Sequence, residues 1–297
     1  MISAFAALPA ITRGLLLMMV SGLCFVAVAV LVRMVGTDVP ATQAAFIRYL
    51  FGTLMLVPVL YRIASGELRV HAPGIMFWRG VAHGLAVILW FFAMARIPMA
   101  EVTAIGYLTP VVVTVAASIL LGEKLHLRRI IAVLFGLLGV LVILRPGFQQ
   151  LSVGQLAMLG TTPLFALSFI LTKKLTGTDS STVIVTVLSV VCTLTLLLPA
   201  SLQWTSVPLR ELTLLFFTAF FATMGHFSMT YAFKCAPIAA LQPVTFLQLI
   251  WATLLGVLLF GDSVDFYVVA GGAILVVSTT YIMHRESVLA KSAVPKE

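Results

Sequence analysis

GLLLMMVSGLCFVAVAVLVRMVGTD, residues 14–38, is the stretch whose reading decides the fold. From Gly14 to Val35 the only charge is Arg33, and the run then breaks at Gly36-Thr37-Asp38. A helix that crosses the hydrocarbon core of a bilayer needs about 20 mainly apolar residues, and this run supplies them. Working outward, similar runs recur at roughly 43–61, 75–95, 99–121, 128–144, 153–173, 181–200, 211–233, 238–260 and 266–283. Polar or Pro/Gly punctuation separates them, as at Ser65-Gly66-Glu67, Arg145-Pro146-Gly147 and Gly177-Thr178-Asp179-Ser180. The expectation is an all-α polytopic membrane protein with ten transmembrane helices joined by short loops.

Composition agrees. The chain is 61% hydrophobic and 9% charged, whereas soluble domains carry about a quarter charged residues. Its net charge of +8 therefore reads as membrane orientation and attraction to anionic headgroups rather than nucleic-acid binding. Cys24, Cys192 and Cys235 lie in or beside apolar runs without paired spacing, so they read as packing residues. The N-terminal dozen residues lack the basic region and short apolar core of a cleavable leader. With the N-terminus inside, thirteen Lys and Arg fall in inside segments and four (Arg33, Arg96, Arg145, Arg210) in outside ones. The positive-inside rule then predicts cytoplasmic termini at both ends.

The two halves resemble each other. At an offset of 141, Gly36, Thr37, Asp38 and Pro58 meet Gly177, Thr178, Asp179 and Pro199, and Arg33 meets Lys174. At an offset of 139, Pro98, Ala100, Thr114 and Gly122 meet Pro237, Ala239, Thr253 and Gly261, and Glu123 meets Asp262. Five spans per half is an odd number, so the second half enters from the opposite side. The prediction is two inverted five-helix repeats, residues 14–145 and 152–285, followed by a cytoplasmic tail at 286–297. Such repeats underlie carriers, because two halves of nearly equal packing can rock around a midplane site.

Several short motifs carry a resemblance. Arg79-Gly80, Phe92-Ala93-Met94-Ala95, Ile97-Pro98-Met99-Ala100, Pro110, Gly122-Glu123-Lys124-Leu125 and Arg145-Pro146 resemble the EamA domain of the drug/metabolite transporter superfamily. Pro237-Ile238-Ala239-Ala240 and Phe260-Gly261-Asp262 resemble its second copy. The resemblance implies a ten-helix carrier of amino acids, vitamins, nucleosides or other metabolites, with a cavity shared by the halves. The Arg-Gly opening of the third span is similar to branches that include riboflavin and S-adenosylmethionine carriers and opine exporters. The ninth span, Gln242 to Gln248, departs from the aromatic-polar pattern of those branches.

Ionisable residues inside a span are costly and mark sites by default. Arg48, some six residues into the second span, could grip a carboxylate or phosphate bidentately, or snorkel to the headgroups. Its repeat mate is Ser189, so the charge breaks the symmetry of the halves. Arg79 reads first as an interfacial anchor, with a gate contact as the alternative. His83 lies one turn deeper on the same face, and His226 falls mid-span in the eighth helix. Each histidine could bond a solute, titrate near neutral pH, or simply bond a neighbouring helix. Trp90, Tyr107, Tyr231 and Trp251 offer rings for stacking or for core packing, while Trp78 is shallow enough for the interface belt. Gln242, Thr245 and Gln248 add polar groups to the ninth span, where an amide needs a partner. Pro110 and Pro243 should kink repeat-related helices and free carbonyls to line a cavity. Glu101 is the acid nearest a span interior and the candidate for ion coupling. Gly136, Gly139, Gly271 and Gly272 read as close helix packing within the chain.

Catalytic and metal-binding spacings are absent from the sequence, and no cofactor is expected. An intramembrane enzyme or a membrane assembly subunit is the alternative of another class. The expected partners are a small metabolite and the lipid bilayer, with no nucleic acid, in a monomer or homodimer of the cytoplasmic membrane. Export is the first expectation, and uptake of a riboflavin- or S-adenosylmethionine-like compound the alternative.

Overall fold

Proline and glycine set most of the helix boundaries. The computed structural model describes residues 8–121, 127–148, 150–236, 241 and 244–292, and their regular structure is helical. Helix α1 (Ala10–Val35) starts behind Pro9 and stops at Gly36, whose φ of 59° suits a residue without a Cβ. Helix α2 (Ala41–Met55) starts behind Pro40 and yields at Leu56 to α3 (Val57–Ala64), which leaves at 63°. Pro58 in the first turn of α3 has no N–H, and its ring crowds the carbonyl four residues back. The single straight span expected over 43–61 is thus a bent pair.

Helix α4 (Pro73–Met94) is followed by α5 (Met99–Gly106) and α6 (Leu108–Leu121), with a break at Tyr107. Gly106 supplies the carbonyl that the ring of Pro110 would obstruct, so α5 ends there. Then come α7 (Leu127–Leu144) and α8 (Val153–Leu175), the latter opened by a capping box between Ser152 and Gln155. Helix α9 (Ser181–Ser201) is capped by Ser180, and α10 (Leu209–Cys235) starts behind Pro208. Helix α11 (Leu247–Phe260) ends at the left-handed Gly261, and α12 (Phe266–Ser292) closes the order. Gln242, Pro243, Gly122–Leu125 and Pro237–Ala240 lie outside the described residues.

Five helices, α1, α4, α8, α9 and α10, are long and apolar enough to cross a membrane, and the bent pair α2–α3 makes a sixth. Shorter apolar helices occupy Met99–Val113, Ile130–Leu144, Leu247–Phe260 and Phe266–Tyr281. The surface is that of a lipid-facing bundle. Leu194, Leu198, Leu258 and Val277 are each about two-thirds exposed, in a pattern of bare apolar side chains far beyond what a soluble monomer tolerates. The polar groups are inside instead, Gln43, Arg48, Arg79, His83 and His226 among them.

Helices pair across the chain: α1 with α10, α4 with α8, α2 with α9, α5 with α11, and α7 with α12. Exchanging the first five apolar segments for the second five, in order, turns this set of pairs into itself. Small residues make the closest approaches. A Cβ on Gly139 would lie 2.8 Å from the Gly271 carbonyl, and one on Gly80 would lie 2.4 Å from Val191. Ser278 Oγ donates to the Ala132 carbonyl at 2.5 Å across the same α7–α12 seam. The glycines expected to pack helices within the chain do so at 136, 139, 271 and 272. At the two helix breaks, Tyr107 stacks edge-on against Phe246, 5.2 Å between centroids and 139 positions away in sequence.

Candidate functional site

Four basic side chains converge near the middle of the bundle. Arg48 comes from α2, Arg79 and His83 from α4, and His226 from α10. All four are buried. The rings of His83 and His226 meet at 5.3 Å, nearly perpendicular. His83 Nδ1 shares a 3.0 Å hydrogen bond with Ser168 Oγ of α8, and its ring touches those of Phe165 and Tyr49. Phe25 of α1 packs edge-on against His226 at 5.1 Å. The guanidinium of Arg48 lies over the Tyr49 ring, 3.8 Å from its centroid. Arg79 donates to the Ile184 carbonyl of α9 at 3.0 Å.

The expectation of Arg79 as an interfacial anchor is corrected by this geometry. Only 1% of the residue is exposed, because α9 closes over α4 at Gly80, where the absent side chain admits Val191. Arg48 is likewise buried among neighbouring helices rather than snorkelled to a headgroup.

Charge accounting defines what such a centre can do. Arginine stays protonated in proteins, and burying an ion costs several kcal/mol even after relaxation. A desolvated cation–π contact returns about 2 kcal/mol, and a charged hydrogen bond about 1.5–3 kcal/mol. Among the described residues, neither Arg48 nor Arg79 has a carboxylate within ion-pair distance. Arg79 Nε, His226 Nδ1 and Thr186 Oγ1 also make no hydrogen bond to the described residues. The chemistry suited to that set is an anionic oxygen group: a carboxylate or a phosphate.

The ends of the bundle are held differently. Where α1 finishes, Arg33 donates to the carbonyls of Met94 at 2.9 Å and Ile97 at 2.5 Å, and to Asp262 Oδ1 at 3.1 Å. Asp262 Oδ2 accepts from the backbone N–H of Met99 at 3.1 Å. This clasp ties α1, the α4–α5 turn and the end of α11. Beside it a cavity of about 190 Å³ is lined by Glu101, Arg145, Gln155 and Asp265 among others. Gln155 Nε2 donates to Glu101 at 2.5 Å, and Arg145 pairs with Asp265. At the opposite end Asp179 accepts from the His71 N–H at 2.9 Å, and its carbonyl accepts from Lys234 at 3.2 Å. In the exposed α3–α4 connection, the hydrogen bond from Arg62 holds the Glu67 carboxyl below its ordinary value.

The remaining residues singled out in the sequence stand apart from the centre. Trp90 packs against the main core and its neighbour Phe91. The Tyr107 hydroxyl donates to the Thr245 carbonyl at 3.1 Å, which braces the break before α11. Gln248 lies against Gly22 of α1, in a shallow crevice shared with Trp251. Tyr231 and Trp251 are 49% and 42% exposed, on faces turned away from the bundle interior. Gln242 lies outside the described residues. Nothing in the sequence singles out Phe25, Tyr49, Phe165 or Ser168, which are ordinary residues of apolar helices. Nor does it pair Arg33 with Asp262, which only the tertiary fold brings together.

A lipid-facing helical bundle with a polar interior and closely packed ends is the architecture of a multi-pass membrane protein. The model of the EamA-like transporter family matches residues 12–145 and again 152–284, and the chain belongs to that family, within the drug/metabolite transporters. It is 28% identical over 281 residues to a riboflavin transporter of Rhizobium johnstonii, covering 92% of this chain and 91% of the relative. It is 22% identical to an S-adenosylmethionine uptake transporter of Rickettsia bellii, with 86% and 88% covered. A pseudopaline exporter of Pseudomonas aeruginosa is 26% identical, with 89% and 94% covered. A solved crystal structure at 16% identity matches with a TM-score of 0.63, over 96% of this chain and 99% of its own, a likeness of fold.

Proposed function

We propose that the chain carries a small organic metabolite bearing a carboxylate or phosphate across the bacterial cytoplasmic membrane, binding it between Arg48, Arg79, His83 and His226. The observation that carries this reading is the pair of buried guanidiniums without an acid partner among the described residues. A site of this charge repels organic cations and gains most from an anionic group. Phe25, Tyr49 and Phe165 around it suit a planar or apolar remainder of the solute.

In this reading ten spans form two inverted repeats, 14–145 and 152–285, with both termini cytoplasmic and the tail at 286–297. The self-mapping set of helix pairs supports it, as does the meeting of Tyr107 with its repeat mate Phe246. The seam contacts Ala132–Ser278 and Gly139–Gly271 also interchange at that same spacing. Alternating access would rock one repeat against the other around the central cluster. Glu101 sits in the end cavity, so a proton taken there would act on closure of that end rather than on the solute. Trp90, Thr245, Gln248, Tyr231 and Trp251 are assigned to packing, helix breaks and the lipid face. The working unit is a monomer or homodimer without a cofactor.

The test is an untargeted metabolite comparison of cells and medium, with the intact chain or Arg48→Ala overexpressed. A compound enriched in the medium only with the intact chain identifies an export substrate. Depletion from the medium with enrichment in the cells supports the second reading, uptake, which the name of the S-adenosylmethionine relative favours. Equal flux with Arg48→Ala at equal membrane abundance would defeat the anion-binding role.

A further inference from the structure

Two histidines facing each other at the centre are not needed to bind an anion, since the two arginines already supply the charge. We propose that the His83–His226 pair is a proton site, loaded together with the anionic solute, so that solute and proton cross in the same direction. The inference rests on the anion-binding reading of the centre and adds the coupling ion to it.

Side chains from several helices face the pair. On α4, Arg79 lies one turn from His83. From α2 come Arg48 and Tyr49, and from α8 Ser168 and Phe165. From α9 comes Cys192, which donates to the Gly80 carbonyl. From α1 comes Phe25. Two of these groups are fixed cations, and among the described residues no carboxylate faces the pair. A third positive charge on either ring would face two guanidiniums in a low dielectric. A bound carboxylate or phosphate offsets one of those charges and removes the main obstacle to a proton on either ring. Binding of anion and binding of proton are then mutually favourable, each raising the affinity for the other by the same factor.

The geometry leaves room for that proton. His226 Nδ1 is buried and makes no hydrogen bond to the described residues, while His83 Nδ1 is tethered to Ser168. The proton moves from water on one side to an imidazole nitrogen and leaves to water on the other side with the solute. No covalent bond changes. Because the two rings come from repeat-related helices, the site lies where both halves meet and can face either side. The proton gradient of an energised membrane points inward, so this coupling drives uptake rather than export.

Nitrogen-15 NMR of histidine-labelled full-length protein in nanodiscs tests this at pH 7, with His83→Gln and His226→Gln assigning the two rings. The probes are riboflavin and riboflavin 5′-phosphate, with binding followed by calorimetry. The expected result is two neutral imidazoles without probe and one imidazolium per bound anion-bearing probe, with no change on riboflavin. Binding of an anion-bearing probe while both rings stay neutral overturns the proton site and leaves the anion site standing. A ring already charged without probe also overturns it. Riboflavin binding as tightly as its phosphate, or no binding by any probe, overturns the anion reading and the coupling with it.

Discussion

Arg48 owes its place to a side chain long enough to lie across Tyr49 while its planar head stays free to meet an oxygen pair. Lysine has the charge but neither the planar stacking nor the bidentate fork. Arg48→Lys should therefore lose most of the flux, about tenfold or more for roughly 1.4 kcal/mol or more of lost binding, with insertion unchanged. Solute uptake or efflux in proteoliposomes at matched protein density measures it, and wild-type flux would mean a simple point charge suffices. The sequence exposed Arg48, His83 and His226 because an ionisable residue in an apolar run stands out. It misplaced Arg79, which counts as the seventh residue of α4 and so looks shallow. What buries it is α9, which lies more than 100 positions away. Phe25, Phe165 and Ser168 were invisible for the opposite reason, since nothing in their own helices distinguishes them.

At the scale of elements, most helices were legible to within a few residues, since apolar runs and their Pro/Gly stops fix them locally, but α11 starts at Leu247 rather than 238 and α12 runs to Ser292 rather than 283. The bend at Leu56 was not, although its cause, Pro58, was in view. The α7–α12 seam shows what small residues permit. Gly139 and Gly271 bring two backbones into contact, so Gly139→Leu should force the helices apart. Overpacking of this kind costs about 1–3 kcal/mol, read as a lower thermal midpoint of detergent-solubilised protein. An unchanged midpoint would show that the seam is not tight. The clasp of Arg33 on Asp262 joins three elements at one end. Asp262→Asn removes the charge and keeps the shape, and it should raise access to that end. The check is a faster reaction of a cysteine placed at Ser263 with a membrane-impermeant thiol reagent, in a background lacking Cys24, Cys192 and Cys235. No change in rate would mean that other contacts hold the end shut.

For the whole molecule, the membrane character and family were plain from composition and motif order, because both are summed over the chain. Orientation rests on the distribution of Lys and Arg between loops. A fluorescent protein that matures only in the cytoplasm, fused after Glu297, should light up, whereas a phosphatase active only outside the membrane should stay silent. The reverse pattern would invert the topology. The two uncompensated guanidiniums have one further consequence, for electrical behaviour. They belong to the protein and cannot leave with the cargo, and a monoanion loaded with its proton adds no net charge, so the centre keeps the same positive charge in the loaded and the empty halves of the cycle. An elementary charge moved through a full potential of 100 mV changes energy by about 2.3 kcal/mol. Even a fractional displacement of two such charges lets voltage choose the side on which the unloaded carrier waits. Charge moved with the loaded centre is returned with the empty one, so steady transport of a monoanion with its proton is electrically silent.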